Sequence, residues 1–373
     1  MALNYHTYKE IRQQPRVWKE AYKIVLSRKE EIKSFVDKYL AEGYEIVLAG
    51  AGTSAYIGDA LEPALHKTRF KGAHALATTD IITYPDHYFD PTSKVLLISF
   101  ARSGNSPESV GAVKTVEKYA GSVAHIFITC NENGELARMK GDNILTVLLP
   151  PETNDLSLAM TSSYSTMYLV CSLIANIHNI ENQEESIDIL SECVRKAMDR
   201  YEDDIRKMAS MDISRAVFLG SGTLRGVAEE SSLKLQELTD GQIMCAHDTF
   251  LGFRHGPKAL VNSKALLIYL LSPESRVQPY ELDLIRQIKG GCGAKGYILV
   301  CRKAPESLDS SYWDLCVETG LPEGFPGYYG GVAYVFVAQM LGLFKSIAYG
   351  LNPDSPSVSG NISRVVEGVK LYI

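Results

Sequence analysis

Two stretches decide the fold. Ile46-Val47-Leu48-Ala49 runs into Gly50-Ala51-Gly52-Thr53, and Val217-Phe218-Leu219 runs into Gly220-Ser221-Gly222-Thr223. The offset between the turns is 170 (220 − 50). Val95-Leu96-Leu97-Ile98-Ser99-Phe100 and Ala265-Leu266-Leu267-Ile268-Tyr269-Leu270 match at the same offset. His125 to Cys130 and Tyr297 to Arg302 match at an offset of 172 (297 − 125). Three apolar runs repeated in one order indicate a duplicated domain, and the period is too long for a solenoid. Each run is short, rich in Val, Ile and Leu, and does not alternate, as expected of a strand buried on both faces. Helical patterns lie between them: Val110, Val113 and Val116 fall on one face, with Lys114, Glu117 and Lys118 outward. Strand and helix in alternation predict an α/β chain with two tandem, doubly wound parallel sheets. The expected divisions are a helical lead-in over 1–40, a first domain over 41–200 and a second over 201–373. Arg16 to Ser27 and Arg28 to Leu40 are the lead-in helices, and the charge-dense stretch 183–210 is the helical connection between halves.

The chain has 373 residues, 46% hydrophobic and 22% charged, the profile of a soluble globular protein. Lys and Arg number 38 against 44 Asp and Glu, a net charge of −6. That disfavours nucleic acid as a partner, which calls for a basic excess. It leaves small anions open, because backbone amides at a helix start hold a phosphate without net positive charge. Met1 to Lys19 shows no apolar targeting core. The longest apolar stretch, Gly330 to Phe344, is shorter than the about 20 residues that span a bilayer, so no membrane is expected. Seven cysteines form no CxxC pair, and they read as reduced core thiols of a cytoplasmic protein. No metal-ligand spacing is present, and no cofactor is expected.

In open parallel sheets ligands bind beyond the carboxyl ends of the strands. Gly50-Ala51-Gly52-Thr53-Ser54 is a tight turn opening a helix, but position 55 is Ala and the dinucleotide fingerprint GxGxxG fails. The turn reads equally as a plain strand–helix connection. Ala101-Arg102-Ser103-Gly104-Asn105-Ser106-Pro107 says more. Ser106 suits an N-cap with Pro107 at the first helical position. Ser103, Ser106 and the Gly104 backbone then surround the positive end of a helix, a place for an anion. The matching place in the second half, Leu271-Ser272-Pro273-Glu274, lacks the Ser-Gly-Asn-Ser run, so the fold alone does not demand it. The cluster Thr161 to Thr166 opens an apolar helix, either capping it or closing a first-half pocket.

The second half is specialised differently. Glu230, Lys234 and Glu237 lie on one helix face. Spacing alone reads as a solvated, salt-bridged surface. Phe250 to Lys258 then carries His255 between Arg254 and Gly256-Pro257, close after His247 and Asp248.

These residues resemble the sugar isomerase (SIS) domain proteins, as two tandem domains over nearly the whole chain. The isomerase half of glucosamine-6-phosphate synthase is similar through KEIRQQP (9–15), GAGTS (50–54), RSGNS (102–106), LKLQEL (233–238) and RHGP (254–257). The galactosamine-6-phosphate deaminase/isomerase family, also called tagatose-6-phosphate aldose-ketose isomerases, is more similar still. Its matching stretches are GAGTSAYIGD, ISFARSGNSPESV, ITCNENGEL, LAMTSS (Leu158 to Ser163), GFRHGPKAL and the tail from Asn352 to Val369.

The resemblance implies phosphate on Ser103 and Ser106, with Gly52, Thr53, Ser54, Asn105 and Leu158 also lining the substrate site. It makes Glu237 the proton-shuttling base and His255 the ring-opening acid/base, with Glu230 and Lys234 at active-site positions. Where the synthase has Ser-Gln this chain has Ala101-Arg102, which implies a rebuilt phosphate shell with a direct Arg102 contact. The synthase's tail lysine falls near Asn361, so its role is not carried over. No glutaminase domain is expected before residue 1, so the chemistry is expected to run toward ammonia release. The implied activity converts an amino sugar 6-phosphate, galactosamine 6-phosphate foremost, to tagatose 6-phosphate and ammonium without a cofactor. A plain aldose-ketose isomerase, a glucosamine-6-phosphate deaminase and a non-catalytic phosphosugar-binding module are the alternatives. The implied assembly is a homodimer or higher oligomer with shared sites, His255 reaching into the partner's.

Overall fold

The computed structural model describes residues 4–291, 293–366 and 368–372. Cys292, counted among the core thiols, and Glu367 of the tail motif lie outside them. In chain order the elements begin with α1 (His6–Ser27), α2 (Lys29–Ala41), β1 (Glu45–Gly50), α3 (Thr53–Ala64), β2 (His74–Ala77), α4 (Thr78–Thr83), β3 (Lys94–Ala101) and α5 (Pro107–Tyr119). They continue with β4 (Ser122–Thr129), α6 (Glu135–Arg138), β5 (Ile144–Leu148), α7 (Ser162–Ala175) and α8 (Glu184–Ala209). The second half holds β6 (Arg215–Gly220), α9 (Thr223–Leu238), β7 (Met244–Asp248), β8 (Ala265–Leu270), α10 (Gln278–Lys289), β9 (Gly296–Cys301), β10 (Leu315–Glu318), α11 (Gly327–Gly330) and α12 (Val332–Ala348).

The duplication is real. The first sheet runs β2-β1-β3-β4-β5 and the second β7-β6-β8-β9-β10, all parallel. The two orders are the same order. The three strand pairs matched in sequence are β1 with β6, β3 with β8, and β4 with β9. Their near-continuous apolar runs are buried on both faces, completely so in β8 and β9. On one face of the first sheet Val47, Ala49, Val95 and Leu97 pack with Val110, Val113 and Val116 of α5. On the corresponding face of the second, Val217, Leu219, Leu267 and Tyr269 pack with Leu282, Ile285 and Ile288 of α10.

The chain divides into two units that interleave along the sequence. One comprises 16–156, 160–188 and 362–373 and holds the first sheet; the other comprises 1–15, 157–159 and 189–361 and holds the second. The lead-in differs from expectation in one respect: α1 passes through Pro15 without a break. Ile11 and Trp18 on either side of it are fully buried. Tertiary packing there outweighs the missing backbone donor. The apolar stretch near the C-terminus is also longer than its composition suggested. Gly327–Ala348 covers 22 residues, enough to cross a membrane by length and composition, yet 89% of its most apolar window is buried inside the protein. It is the core helix of the second half.

Among the described cysteines none forms a disulfide; Cys130, Cys171 and Cys301 are buried, while Cys193, Cys245 and Cys316 are only half-buried.

Candidate active site

In the first half, two loops flank the point where the strand order reverses, between β1 and β3. The first is the Gly50–Thr53 turn. Gly52 has φ +54° and ψ −128°, and its copy Gly222 has φ +56° and ψ −129°. Only glycine adopts this conformation without strain, so both turns are written by the same requirement. Thr53 and Ser54 follow, buried in the first turn of α3.

The second loop, Arg102 to Ser106, is braced on every side. The Ser106 hydroxyl accepts from the Ser109 N–H (3.3 Å), the expected N-cap, with Pro107 opening α5. The Ser103 hydroxyl accepts from the Asn105 N–H (3.3 Å). The Asn105 side-chain oxygen accepts from the Glu135 N–H (2.9 Å) at the start of α6. Asn131 donates to the Ser103 carbonyl (2.9 Å), and the Leu136 N–H donates to that of Gly104 (3.1 Å). The NENGEL stretch is thus the brace of this loop. Asn105 spends its side-chain oxygen on that brace. Arg102 is buried, and its guanidinium donates to the backbone carbonyl of Arg364 in the tail.

The hydroxyl cluster of 161–166 serves a carboxylate that sequence reasoning passed over. Asp155 is fully buried and accepts from the backbone N–H of Thr161 (2.8 Å) and Ser163 (3.0 Å), and from the Ser163 hydroxyl (2.6 Å). It caps α7 from outside the helix. Arg364 binds the Asp155 carbonyl (2.8 Å) and the Asn154 side chain (2.9 Å), tying the tail to the same turn. Leu158 is grouped with the other unit, where its N–H donates to the Asp354 carbonyl (2.9 Å).

In the second half, α9 carries the charged trio, and here the solvated reading is overturned. The side chains of Glu230 and Lys234 are fully buried, and that of Glu237 is 14% exposed. The Lys234 ammonium lies 3.4 Å from Glu230 and donates to Glu237. Burial alone pulls the Lys234 pKa down, but the two carboxylates more than offset it and hold the pKa above the ordinary lysine value. The covering element is α12. Gly342 permits its close approach: a Cβ there would lie 2.8 Å from Leu238 and 3.0 Å from the Lys234 carbonyl. Neither the burial nor the cover is visible in a seven-residue spacing.

His255 sits on an exposed turn, its N–H donating to the Gly252 carbonyl (2.9 Å). Next to it Arg254 is anchored to Asp283 (2.8 Å) and Gln287 (3.0 Å) of α10. No hydrogen bond or ion pair joins His255 to Glu237 among the described residues. His247 lies instead in β7, 3.7 Å from Glu229, with its pKa lowered by burial and by Arg225.

The second-half loop is occupied by the chain itself. The buried Glu281 carboxylate accepts the Ser272 N–H (2.8 Å). Burial raises its pKa from 4.5 to about 6.

Residues 39–177 match the SIS domain family. D-galactosamine-6-phosphate deaminase AgaS of Escherichia coli is 36% identical over 371 residues, covering 98% of this chain and 95% of the relative. The chain belongs to the AgaS family of SIS-domain proteins. The AgaS of Shewanella sp. (strain ANA-3) is likewise 36% identical, over 98% of this chain and 91% of its own length. Among solved structures, tagatose-6-phosphate ketose/aldose isomerase from Escherichia coli superposes with a TM-score of 0.89 at 32% identity, covering 99% of this chain and 97% of that one. Membership in the AgaS family thus extends across both halves, beyond the residues that match the SIS domain itself.

Proposed function

We propose that the chain is a hexosamine-6-phosphate deaminase/isomerase that converts galactosamine 6-phosphate and water to tagatose 6-phosphate and ammonium. The observation that carries the reading is the buried carboxylate–lysine–carboxylate trio of α9, in a chain alike end to end to proteins named galactosamine-6-phosphate deaminases. In a phosphosugar-binding module without turnover the trio would serve the fold alone, and Glu237, the one member that keeps some exposure, would have no proton to move.

The substrate phosphate is assigned to the Ser103–Ser106 loop, where hydroxyls and the start of α5 favour an anion. Thr53 and Ser54 are assigned to the sugar. His255 moves a proton to open the ring. Glu237 takes the proton from C2, giving an enolamine, and returns it to C1, leaving a C2 ketimine. Water adds at C2, the C–N bond breaks, and ammonium departs. A carboxylate suits this shuttle because its oxygens reach two adjacent carbons. Lys234 orients it. We place the reaction in the cytoplasm, in keeping with the free thiols. We also propose that the enzyme is a homodimer in which His255 serves the partner's site; its exposed turn supports this reading.

The second reading, simple aldose–ketose isomerisation, draws support from the name of the structural neighbour. The test is ammonium release with galactosamine 6-phosphate and, separately, glucosamine 6-phosphate. Ammonium and tagatose 6-phosphate in equal amounts are expected from the first. Ketose formation from an aldose 6-phosphate with no ammonium from either amino sugar would replace deamination by isomerisation.

A further inference from the structure

The second sheet has its own switch point, between β6 and β8, and a cavity of about 310 Å³ opens there. Its walls include Ser221 and Thr223 at the start of α9, Arg276 and Arg302 beyond β8 and β9, and the loop from Leu321 to Gly331. The cavity is the duplicate of the crevice beside the Ser103 loop, and it is large enough for a small ligand. Glu237 and His255 do not line it.

Its charge pattern has been rewritten. At the repeat offset of 170, Arg276 stands where the first half has Ser106 (276 − 170 = 106). At the β4/β9 offset of 172, Arg302 stands where the first half has Cys130 (302 − 172 = 130). The Ser272 N–H is satisfied by Glu281 and is closed to a ligand. Neither guanidinium makes a hydrogen bond or ion pair among the described residues; the same holds for Arg138, Arg200, Arg215 and Arg225, but Arg276 and Arg302 line one cavity together. Two unpaired guanidiniums on one cavity wall are a recognition device for phosphate. Glu274 and Glu323 on the same walls suit hydroxyl or amine groups.

We propose that this cavity is a second small-molecule site, an effector pocket for a phosphorylated sugar, with Arg276 and Arg302 holding the phosphate. It is separate from the reaction assigned above and does not depend on it.

The test is calorimetric titration of the full chain with sorbitol 6-phosphate, which has no carbonyl and cannot be turned over. Inorganic phosphate serves as a parallel probe for a site that reads phosphate alone. Two sites per chain are expected. Ser103→Ala/Ser106→Ala should weaken one. Arg276→Gln/Arg302→Gln should weaken the other roughly tenfold to a hundredfold, as loss of charged hydrogen bonds does. Gly330→Phe guards against a folding defect in the arginine variant. A Cβ at Gly330 meets nothing within 4 Å, so the ring has open space at the cavity wall and should block the second site. A single site per chain, indifferent to the arginine variant and to Gly330→Phe, would overturn the proposal. Two sites that both survive Ser103→Ala/Ser106→Ala would instead refute the first-half phosphate loop and leave the second pocket standing. Phosphate competing equally well at the second site would overturn a sugar-specific pocket.

Discussion

The Lys234 ammonium donates to the Glu237 carboxylate one turn further along α9, inside the protein rather than on its surface. Lys234 also neutralises Glu230, whose side chain is fully buried. Removing the lysine strands a buried charge, which costs far more than a surface pair does. Lys234→Met should therefore lower unfolding stability by about 3–5 kcal/mol. Lys234→Met/Glu230→Met should recover much of that stability without recovering turnover. Urea denaturation of the three proteins checks the first expectation, and ammonium release checks the second. A single variant as stable as the parent would show that the pair contributes little to the fold.

The phosphate loop is tested by an asymmetry between the halves. Ser103→Ala and Ser106→Ala should each raise KM for the 6-phosphate, since a hydrogen bond to a charged group is worth about 1.5–3 kcal/mol. Ser106→Ala should also cost roughly 1 kcal/mol of stability, because its hydroxyl caps α5. Ser272→Ala, at the duplicate's loop, should leave KM unchanged. Steady-state kinetics on the three variants decides; equal effects at both loops would refute the assignment of phosphate to the first half.

The contrast between those loops shows what a sequence does and does not carry. Strands buried on both faces are legible because burial demands an apolar run, and duplication makes each run vouch for its copy. The Ser106–Pro107 start of α5 is legible because capping is a local requirement. Asp155 is not, because it caps α7 from six to eight residues upstream, outside the reach of any local capping pattern. The burial of Glu230 and Lys234 depends on α12, about a hundred residues away in sequence. Spacing places three charges on one face of a helix, and only the packing of another helix says whether that face meets water.

Glu281 predicts a pH effect with a definite sign. Its folded pKa is raised from 4.5 to about 6 by burial. Below the unfolded value the carboxyl is protonated in both states and has no effect. As pH rises from there to about 6 the folded state holds the proton more tightly, so stability falls across that window and stays lower above it. The difference is ~2 kcal/mol. Glu281→Gln keeps an oxygen for the Ser272 N–H and carries no charge. It should be more stable than the parent at pH 8, with the gap closing by pH 4.5. Thermal melts across that range measure it; a gap independent of pH would show that the carboxyl ionises in the fold as it does in water.

The shared-site reading rests on His255 standing exposed on a turn, with no hydrogen bond or ion pair to Glu237 among the described residues. Glu237→Gln should lose about 10²–10⁴-fold in turnover, since an amide is no base, and His255→Ala should also be impaired because ring opening loses its acid/base. If His255 serves the partner, a mixed dimer of the two variants has one site carrying both lesions and one carrying neither. Random pairing makes half the dimers mixed, with half of their sites intact, so activity should return to roughly a quarter of the parent's. If both residues serve the same chain, every site keeps one lesion and mixing restores nothing. Subunit exchange is followed independently, by mass spectrometry of differently tagged chains. Exchange without recovery would place His255 in its own chain's site, and recovery would place it in the partner's.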